Sequence, residues 1–299
     1  MRIITDEEIR SLDITPTQCV EWVYDAFLMK DRCQLPPKIS LHPQGTDFIN
    51  TMPCLLPEEY HRFGCKVVSR IKGAHPALKS DMMLTDSRSG EFLALIDCDW
   101  ITAMRTGAVA ALAINTFRHT RASVYAFIGL GVMGHATLEC LLAIRRERGM
   151  VIRLKRYKNH AEKIAEEFSP RYPEVRFEIV ETMEELVSDA DVVVSCITDA
   201  EGLLIEDVSL FKPGVLVVPV HTRGFQNCDT VFDKVFADDE GHVKGFRYFN
   251  EFRQFGEIGD VLTGKIEGRA DDTERILSYN IGLGLHDVLY ATKILERIG

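Results

Sequence analysis

Short apolar runs alternate with helical stretches through the second half of the chain. The runs that predict strands are Val124–Ile128, Val151–Leu154, Phe177–Val180, Val192–Cys196 and Val215–Val220. Helices are predicted to start near Val132, His160 and Thr182, with a short one around Glu206. Buried strands joined by helices are typical of a parallel sheet that is covered on both faces. The pattern therefore predicts an α/β fold with a doubly wound parallel sheet in this half.

The first third of the chain has a different pattern. Thr15-Pro16 predicts the start of one helix, and an alanine-rich segment predicts another over residues 99–117. Between them, strand-like runs follow one another with little helix: Lys38–His42, Asp47–Met52, Gly64–Ile71, Met82–Thr85 and Phe92–Asp97. Consecutive strands of this kind indicate an antiparallel or mixed sheet, so this part is predicted to be an α+β domain.

The limits of these two patterns set the predicted domain boundaries. A polar stretch at residues 118–122 separates them, and a final long helix is predicted from Asp271 to Ile298, interrupted only by Gly282 and Gly284. We expect that helix to return to the first domain. The chain of 299 residues is thus predicted to form one domain from residues 1–118 with 271–299, and a second domain from residues 119–270.

Composition narrows the classes of partner. A net charge of −10 argues against a nucleic-acid partner, which needs a basic face. No apolar run reaches the ~18 residues of a membrane span, and the acidic start Met1–Glu8 does not resemble a signal peptide. The eight cysteines lie singly, without a C-x-x-C pair. They are expected to be reduced thiols of a cytoplasmic protein, so neither a disulfide framework nor a metal site is predicted.

A glycine-rich stretch organises the second domain. Gly129, Gly131 and Gly134 form G-x-G-x-x-G directly after the strand Val124–Ile128 and at the start of a helix. In this context the first glycine permits a tight turn, the second lets a pyrophosphate approach the backbone, and the third lets helix and strand pack closely. The stretch therefore predicts the dinucleotide-binding loop of a Rossmann-type domain. The candidate cofactor-binding residues of this loop are Gly129, Leu130, Gly131, Val132, Met133 and Gly134.

The residues after the next strand favour a phosphorylated cofactor. An NAD-binding unit usually has an acidic residue about 20 residues beyond the glycines, where it binds the ribose 2′-hydroxyl. This chain instead has Lys155-Arg156-Tyr157-Lys158, whose cations would attract a 2′-phosphate. NADP(H) is therefore favoured over NAD(H), although the alternative remains that these cations coat a solvent-exposed face. The candidate contacts outside the glycine loop are Lys155, Arg156, Tyr157 and Thr198.

With these pieces in place, the whole chain resembles the ornithine cyclodeaminase/mu-crystallin family. Besides the glycine loop, the stretches that carry the resemblance are Leu35-Pro-Pro-Lys38, Met52-Pro53, Gly64-Cys-Lys66-Val-Val, Ala103-Met-Arg105-Thr-Gly-Ala, Leu154–Lys163 and Gly256–Arg269. The resemblance implies redox chemistry at an α-amino or α-imino carbon. It also implies that the α+β domain binds the substrate and forms a homodimer, while the Rossmann domain carries NAD(P).

The resemblance further implies that three cations hold the substrate's α-carboxylate. By position these are Lys38, Lys66 and Arg105, and Lys66 is also a candidate catalytic residue. The chemistry has its own logic, because a gripped carboxylate fixes the α-carbon against the nicotinamide C4. The alternative is that the lysines are charges on edge strands and that Arg105 forms an ion pair within its helix.

Two departures from the family bear on the reaction. Relatives that cyclise ornithine have an acid that handles the α-amine after the strand ending at Val220, and His221 stands there in this chain. They place a second acid, for the side-chain amine, where this chain has Asn50. Ornithine cyclisation is therefore not favoured. His221 could move the proton on the substrate nitrogen, or be only a hydrogen-bonded loop residue. Arg223 could bind a second acidic group.

Three functions remain open from the sequence. The first is an NADP(H)-preferring oxidoreductase of amino or imino acids, acting as a ketimine reductase or as an amino-acid dehydrogenase. The second is a cyclodeaminase, an ammonia-lyase that acts on ornithine or lysine with bound NAD⁺. The third is a protein that binds NADPH and a small ligand without catalysis. The identity of the substrate is not determined by the residue pattern.

Overall fold

The computed structural model describes residues 1–198, 202–221 and 226–299. The chain divides into two compact units. The first unit consists of Met1–Arg105 and Gly282–Gly299, and the second consists of Thr106–Ile281. The predicted candidate Arg223 lies outside the described residues. Among the described helices, none has both the length and the apolar character that crossing a lipid bilayer requires.

The first unit contains a six-stranded mixed sheet. Its strands are β1 (Arg2–Ile4), β2 (Ile39–Leu41), β3 (Phe48–Leu55), β4 (Arg62–Arg70), β5 (Leu78–Asp86) and β6 (Phe92–Asp97). Their order in the sheet is β1-β6-β5-β4-β3-β2, with β1 parallel to β6 and the other neighbours antiparallel. This agrees with the α+β pattern of the sequence. The helices of the unit are α1 (Asp6–Arg10), α2 (Pro16–Met29), the start of α3 (Asp99–Phe117) and α9 (Gly284–Ile298).

The two faces of this sheet differ in character. On one face the cross-strand neighbours Met52, Lys66, Met82 and Ile96 are all buried, and α9 packs against β3, β4 and β5. The period of two along a strand then turns the intervening residues to the other face. Several apolar side chains of that second face are exposed: Ile3, Ile39, Val67 and Leu95.

The second unit contains an eight-stranded parallel sheet, as the alternating pattern predicts. Its strands are β7 (Val124–Ile128), β8 (Val151–Lys155), β9 (Arg176–Val180), β10 (Val192–Ser195), β11 (Leu216–Pro219), β12 (Lys234–Ala237), β13 (Phe255–Glu257) and β14 (Ile276–Tyr279). The strand order is β13-β12-β14-β11-β10-β7-β8-β9. The chain runs outward from β7 through β8 to β9 and then returns to the other side of β7. This reversal is where ligands bind in open parallel sheets.

Helices connect these strands and complete the doubly wound Rossmann-type arrangement. They are the remainder of α3, α4 (Val132–Ile144), α5 (His160–Phe168), α6 (Met183–Val187), α7 (Glu240–Val243) and α8 (Ile258–Leu262). The division between the units falls within α3, after Arg105. The short helix that was expected near Glu206 is a 3₁₀ turn at Val208–Leu210.

The prediction of a helix from Asp271 to Ile298, interrupted only by Gly282 and Gly284, is wrong for the part before Gly282. Residues Ile276–Tyr279 form β14, which pairs with both β11 and β12 in the second unit. A four-residue buried run has no period that separates strand from helix, so the sequence pattern did not distinguish them. Gly282, with φ +97°, follows this strand, and α9 begins only at Gly284. Residues 271–281, predicted with the first domain, therefore belong to the second unit.

Candidate active site

A buried charged cluster lies on the covered face of the first unit's sheet. Lys66 on β4 donates from Nζ to Asp287 Oδ1 at 2.7 Å. Arg105 on α3 donates from Nε to the same oxygen at 2.9 Å. Lys66 Nζ also donates to Thr102 Oγ1 at 3.3 Å, and Ser80 Oγ lies 2.9 Å from that hydroxyl oxygen. The structure therefore brings together two of the cations that the sequence suggested for a carboxylate.

Burial and mutual charge set the protonation of this cluster. Burial, and the positive charge of Arg105, lower the pKa of Lys66 to about 8, although Asp287 opposes them. Burial alone would raise the pKa of Asp287, but the charges of Arg105 and Lys66 lower it. With both cations protonated and Asp287 ionised, the cluster carries a net charge of +1. Such a charge in a covered location is suited to a single carboxylate.

Other parts of the first unit also bear on this cluster. A β-carbon on Gly282 would lie 2.1 Å from Arg105 Nη1, so the backbone there approaches the guanidinium too closely for any side chain. Asn50 on β3 is two residues from Met52, the cross-strand partner of Lys66, and thus lies on the same face. Its Oδ1 is buried with no hydrogen-bond donor among the described residues. Lys38 is partly buried, directly before β2.

The glycine loop of the second unit has the geometry that its spacing predicts. Gly129 has φ +84°, and a β-carbon there would lie 2.3 Å from the carbonyl carbon of Cys196. A β-carbon on Gly134 would lie 2.4 Å from Gly129 O. Around Gly131, by contrast, the described residues leave open space. Gly131 is also the N-cap of α4 and offers no side-chain cap, so the first-turn N–H groups can bind an anion.

The basic residues at the end of β8 are predicted to bind a 2′-phosphate, but the structure shows Arg156 already in contact with carboxylates. Arg156 donates from Nε to Glu181 Oε1 at 2.6 Å, and its Nη1 contacts Glu162. The guanidinium is therefore already engaged by two carboxylates, which the sequence pattern does not reveal. Lys155 donates from Nζ to the carbonyl oxygen of Arg156, and Tyr157 is exposed.

The remaining candidates of this unit lie beyond the carboxyl ends of neighbouring strands. His221 follows β11, and its Nε2 lies 2.6 Å from Oγ of Ser195, the last residue of β10. Thr198 is exposed, three residues beyond the same strand. Because β10 and β11 are adjacent and parallel, their carboxyl ends bring these two candidates to one edge of the sheet.

Asp287 is the residue of the charged cluster that no sequence motif indicates. Its partners are 221 and 182 positions away along the chain, so no local spacing links them. The available signal was an acid in a largely apolar part of the last helix, Gly284–Ala291, where every other residue except His286 is glycine, aliphatic or tyrosine. Acidic residues are rarely fully buried unless paired, and this one has a fully buried side chain.

Comparisons with known proteins agree with this architecture. The model of the ornithine cyclodeaminase/mu-crystallin family matches residues 2–299. The chain is 28% identical to the nodulation efficiency protein NfeD of Rhizobium meliloti over 272 residues, which cover 87% of this chain and 83% of that protein. It is 26% identical to the Δ1-pyrroline-2-carboxylate reductase of Bacillus cereus over 324 aligned positions, which cover 99% and 96% of the two chains.

A solved structure is similar over the full length. The Δ1-pyrroline-2-carboxylate reductase of Thermococcus litoralis, in complex with NADH and L-proline, matches with a TM-score of 0.86 at 21% identity. The match covers 99% of this chain and 97% of that one. At this level of identity the likeness establishes the fold, which is the fold predicted from the sequence.

Proposed function

The chain belongs to the ornithine cyclodeaminase/mu-crystallin family, and on that premise we propose that it is an NAD(P)-dependent oxidoreductase of amino or cyclic imino acids. In the reducing direction, an imino acid, a hydride and a proton give the amino acid. The named activity of the Bacillus cereus relative is of this class, which supports the proposal. Ketimine reduction and amino-acid oxidation are the two directions of one reaction.

The observation that carries the proposal is the buried excess of positive charge around Lys66 and Arg105. A charge that is covered on all sides by protein needs a counter-ion, and an α-carboxylate supplies one. The guanidinium and the ammonium together favour a planar carboxylate group over a neutral ligand. Asn50 Oδ1 adds a buried acceptor on the same sheet face, suited to an N–H or O–H group of a substrate.

The second unit contributes the cofactor site in this proposal. The open space at Gly131 and the uncapped start of α4 fit a pyrophosphate, so the loop Gly129–Gly134 would hold the cofactor. The nicotinamide supplies or accepts the hydride when it is bound there. The basic end of β8 favours NADP(H), and the two carboxylates around Arg156 favour NAD(H); we propose NADP(H) as the preferred cofactor.

His221 is proposed to move the proton on the substrate nitrogen. An imidazole titrates in the range where such a proton is exchanged, and Ser195 Oγ fixes the position of Nε2. We expect His221→Asn to lower kcat by about a hundredfold, the usual range for loss of a general acid or base, with a smaller change in KM. Ser195→Ala should give an intermediate loss, because only the orientation of the ring is disturbed. Unchanged kcat in His221→Asn would remove it from the mechanism.

The function is tested with the purified protein and a substrate panel. The panel contains α-amino acids with NAD⁺ or NADP⁺, and cyclic imino acids such as Δ1-pyrroline-2-carboxylate with NADH or NADPH, followed by cofactor absorbance. We expect turnover of at least one carboxylated imino acid and none of its analogue without the carboxylate. Release of ammonia from ornithine or lysine, without net cofactor turnover, would indicate a cyclodeaminase instead.

Cofactor binding without turnover across this panel would support the third function, a protein that binds NADPH and a small ligand without catalysis. The positions of His221 and Asn50 weigh against the cyclodeaminase, since neither supplies the carboxylate that binds a substrate ammonium group.

We also propose a cytoplasmic location, since all eight cysteines are free thiols.

A further inference from the structure

The two cations of the charged cluster meet at one oxygen, which the last helix supplies. Lys66 and Arg105 lie on β4 and α3, and both donate to Asp287 Oδ1. We propose that Asp287 is a positioning residue for the reaction: it keeps Lys66 charged and Arg105 oriented, so that together they receive the substrate carboxylate. This inference rests on the proposed function, because it assigns the carboxylate to that cluster.

The contacts of Asp287 leave donors of both cations for a ligand. An ammonium has three N–H donors, and among the described residues Lys66 Nζ uses two, on Asp287 and Thr102. Asp287 accepts a hydrogen bond from Nε of Arg105, which is the guanidinium N–H nearest the aliphatic part of the side chain. This contact fixes the plane of the guanidinium. The backbone at Gly282 lies close to Nη1 and limits its rotation. Both side chains are thus held in place before a ligand arrives, which reduces the entropy lost on binding.

Charge balance gives the same role to Asp287. With Asp287 ionised the cluster carries +1, which one carboxylate neutralises. Without it, two positive charges would be buried side by side, and Lys66 would lose its proton more readily. Asp287 Oδ2 has no hydrogen-bond donor among the described residues. The carboxylate therefore contacts these two cations through Oδ1.

The groups around Lys66 determine how its proton should respond to a substitution. Arg105 on α3 disfavours the charged form, and Asp287 favours it. Burial raises the pKa of the Cys98 thiol, so this group stays neutral. The Cys33 thiol and burial raise the pKa of the Cys54 thiol, which therefore also stays neutral. His286 lies beside Asp287 on α9. Since burial already lowers the pKa of Lys66 to about 8, removing Asp287 should lower it further.

The test is the pH dependence of kcat/KM in Asp287→Asn, measured with Δ1-pyrroline-2-carboxylate or with the panel substrate that turns over. Wild type should lose activity as the pH rises through about 8, where Lys66 deprotonates. In Asp287→Asn this fall should begin about one pH unit lower, and KM at neutral pH should rise about tenfold. A merely structural loss would lower activity equally at every pH. The proposal would be overturned if kcat/KM of Asp287→Asn fell at the same pH as in wild type and KM were unchanged.

The control is Asp191→Asn, which removes another buried acid that has a cationic partner, Lys212. Asp191 contacts Lys212 and His119 in the second unit and is not part of the proposed site. This variant should lose stability without moving the pH limb.

Arg105→Met separates this inference from the proposed function. If Arg105→Met leaves KM unchanged, the carboxylate does not bind at the cluster and the proposed function fails. If Arg105→Met raises KM while Asp287→Asn moves nothing, only the role of Asp287 fails.

A second pair of variants covers the case in which Asp287→Asn does not fold. Lys66→Met and Lys66→Met/Asp287→Asn both lack the ammonium, so the double variant does not bury an unpaired lysine charge. Lys66→Met leaves the cluster neutral, whereas the double variant keeps the net +1 of Arg105, so charge alone would lower KM in the double variant. We nevertheless expect a higher KM in the double variant, because Arg105 has lost the acceptor that fixes its plane. A KM in the double variant that equals or falls below that of Lys66→Met would contradict the orienting role of Asp287.

Discussion

Asp229 is a buried acid with no cationic partner among the described residues, and it affects the stability of the second unit. Its side chain is fully buried, and Oδ1 accepts a hydrogen bond from the Tyr279 hydroxyl at 2.5 Å. Oδ2 has no donor among the described residues. Burial therefore raises the pKa of Asp229 to about 7, against a small opposing effect of the Tyr279 hydroxyl. The folded protein holds this proton far more tightly than the unfolded chain does.

The sign of the pH effect follows from this difference. Between pH 3.8, the ordinary pKa, and about 7, the folded state binds more protons, so stability falls as the pH rises. We expect Asp229→Asn to be more stable than wild type at pH 8, by on the order of 2–4 kcal/mol, and nearly equal to it at pH 4. Urea denaturation at both pH values measures this. Glu174→Gln, an exposed change in the same unit, should have no effect, and equal stability of wild type and Asp229→Asn at pH 8 would refute the prediction.

For single residues, the sequence identifies the side chains that could bind a carboxylate better than it identifies the residues that those side chains contact. Lys66 and Arg105 were picked out by a family resemblance, and the structure buries them at one oxygen. Asp287 was overlooked because an acid in a helical stretch is usually a surface residue. Burial depends on the tertiary packing of α9 against the sheet, which residue spacing does not encode.

Among the elements, the glycine loop could be predicted in detail and β14 could not. The loop follows from local rules, since Gly129 needs a positive φ and Gly134 must meet the backbone of Gly129. β14 owes its conformation to β11 and β12, which lie on either side of it. Strand propensity over four buried residues is too weak to overcome a helical expectation without those neighbours.

The end of β8 provides the element-scale prediction on cofactor choice. A 2′-phosphate would compete with Glu162 and Glu181 for the guanidinium of Arg156. We expect Arg156→Ala to weaken NADPH binding by about tenfold and to leave NADH binding nearly unchanged. Glu181→Gln should have the opposite effect on NADPH, since it removes one competitor. Fluorescence titration of both cofactors tests this, and an NADPH-to-NADH affinity ratio that is the same in all three proteins would end the assignment.

For the whole molecule, the uncovered face of the first unit's sheet is the feature that local structure does not explain. Ile3, Ile39, Val67 and Leu95 are 65%, 59%, 41% and 42% exposed. The strand register places them in two groups on one face: Ile3 pairs with Leu95, while Ile39 and Val67 both pair with Thr51. Asp81, which pairs with Val67, is an exposed charged residue on the same face. Exposed apolar side chains gathered on one sheet face are typical of a protein–protein interface.

We predict that this face joins two copies of the chain in a homodimer. A specific protein–protein interface buries about 1,200–2,000 Å² in total. A lysine at Val67, even with Asp81 as its cross-strand neighbour, would place a strongly hydrated ammonium group in that buried contact. Val67→Lys should therefore be monomeric at concentrations where the wild type is dimeric, as measured by sedimentation velocity. Leu203→Lys, at an exposed apolar residue of the second unit, is the matched control and should remain dimeric. A monomeric wild type at micromolar concentration, or a Val67→Lys protein that stays dimeric, would show that the sheet face is not the interface.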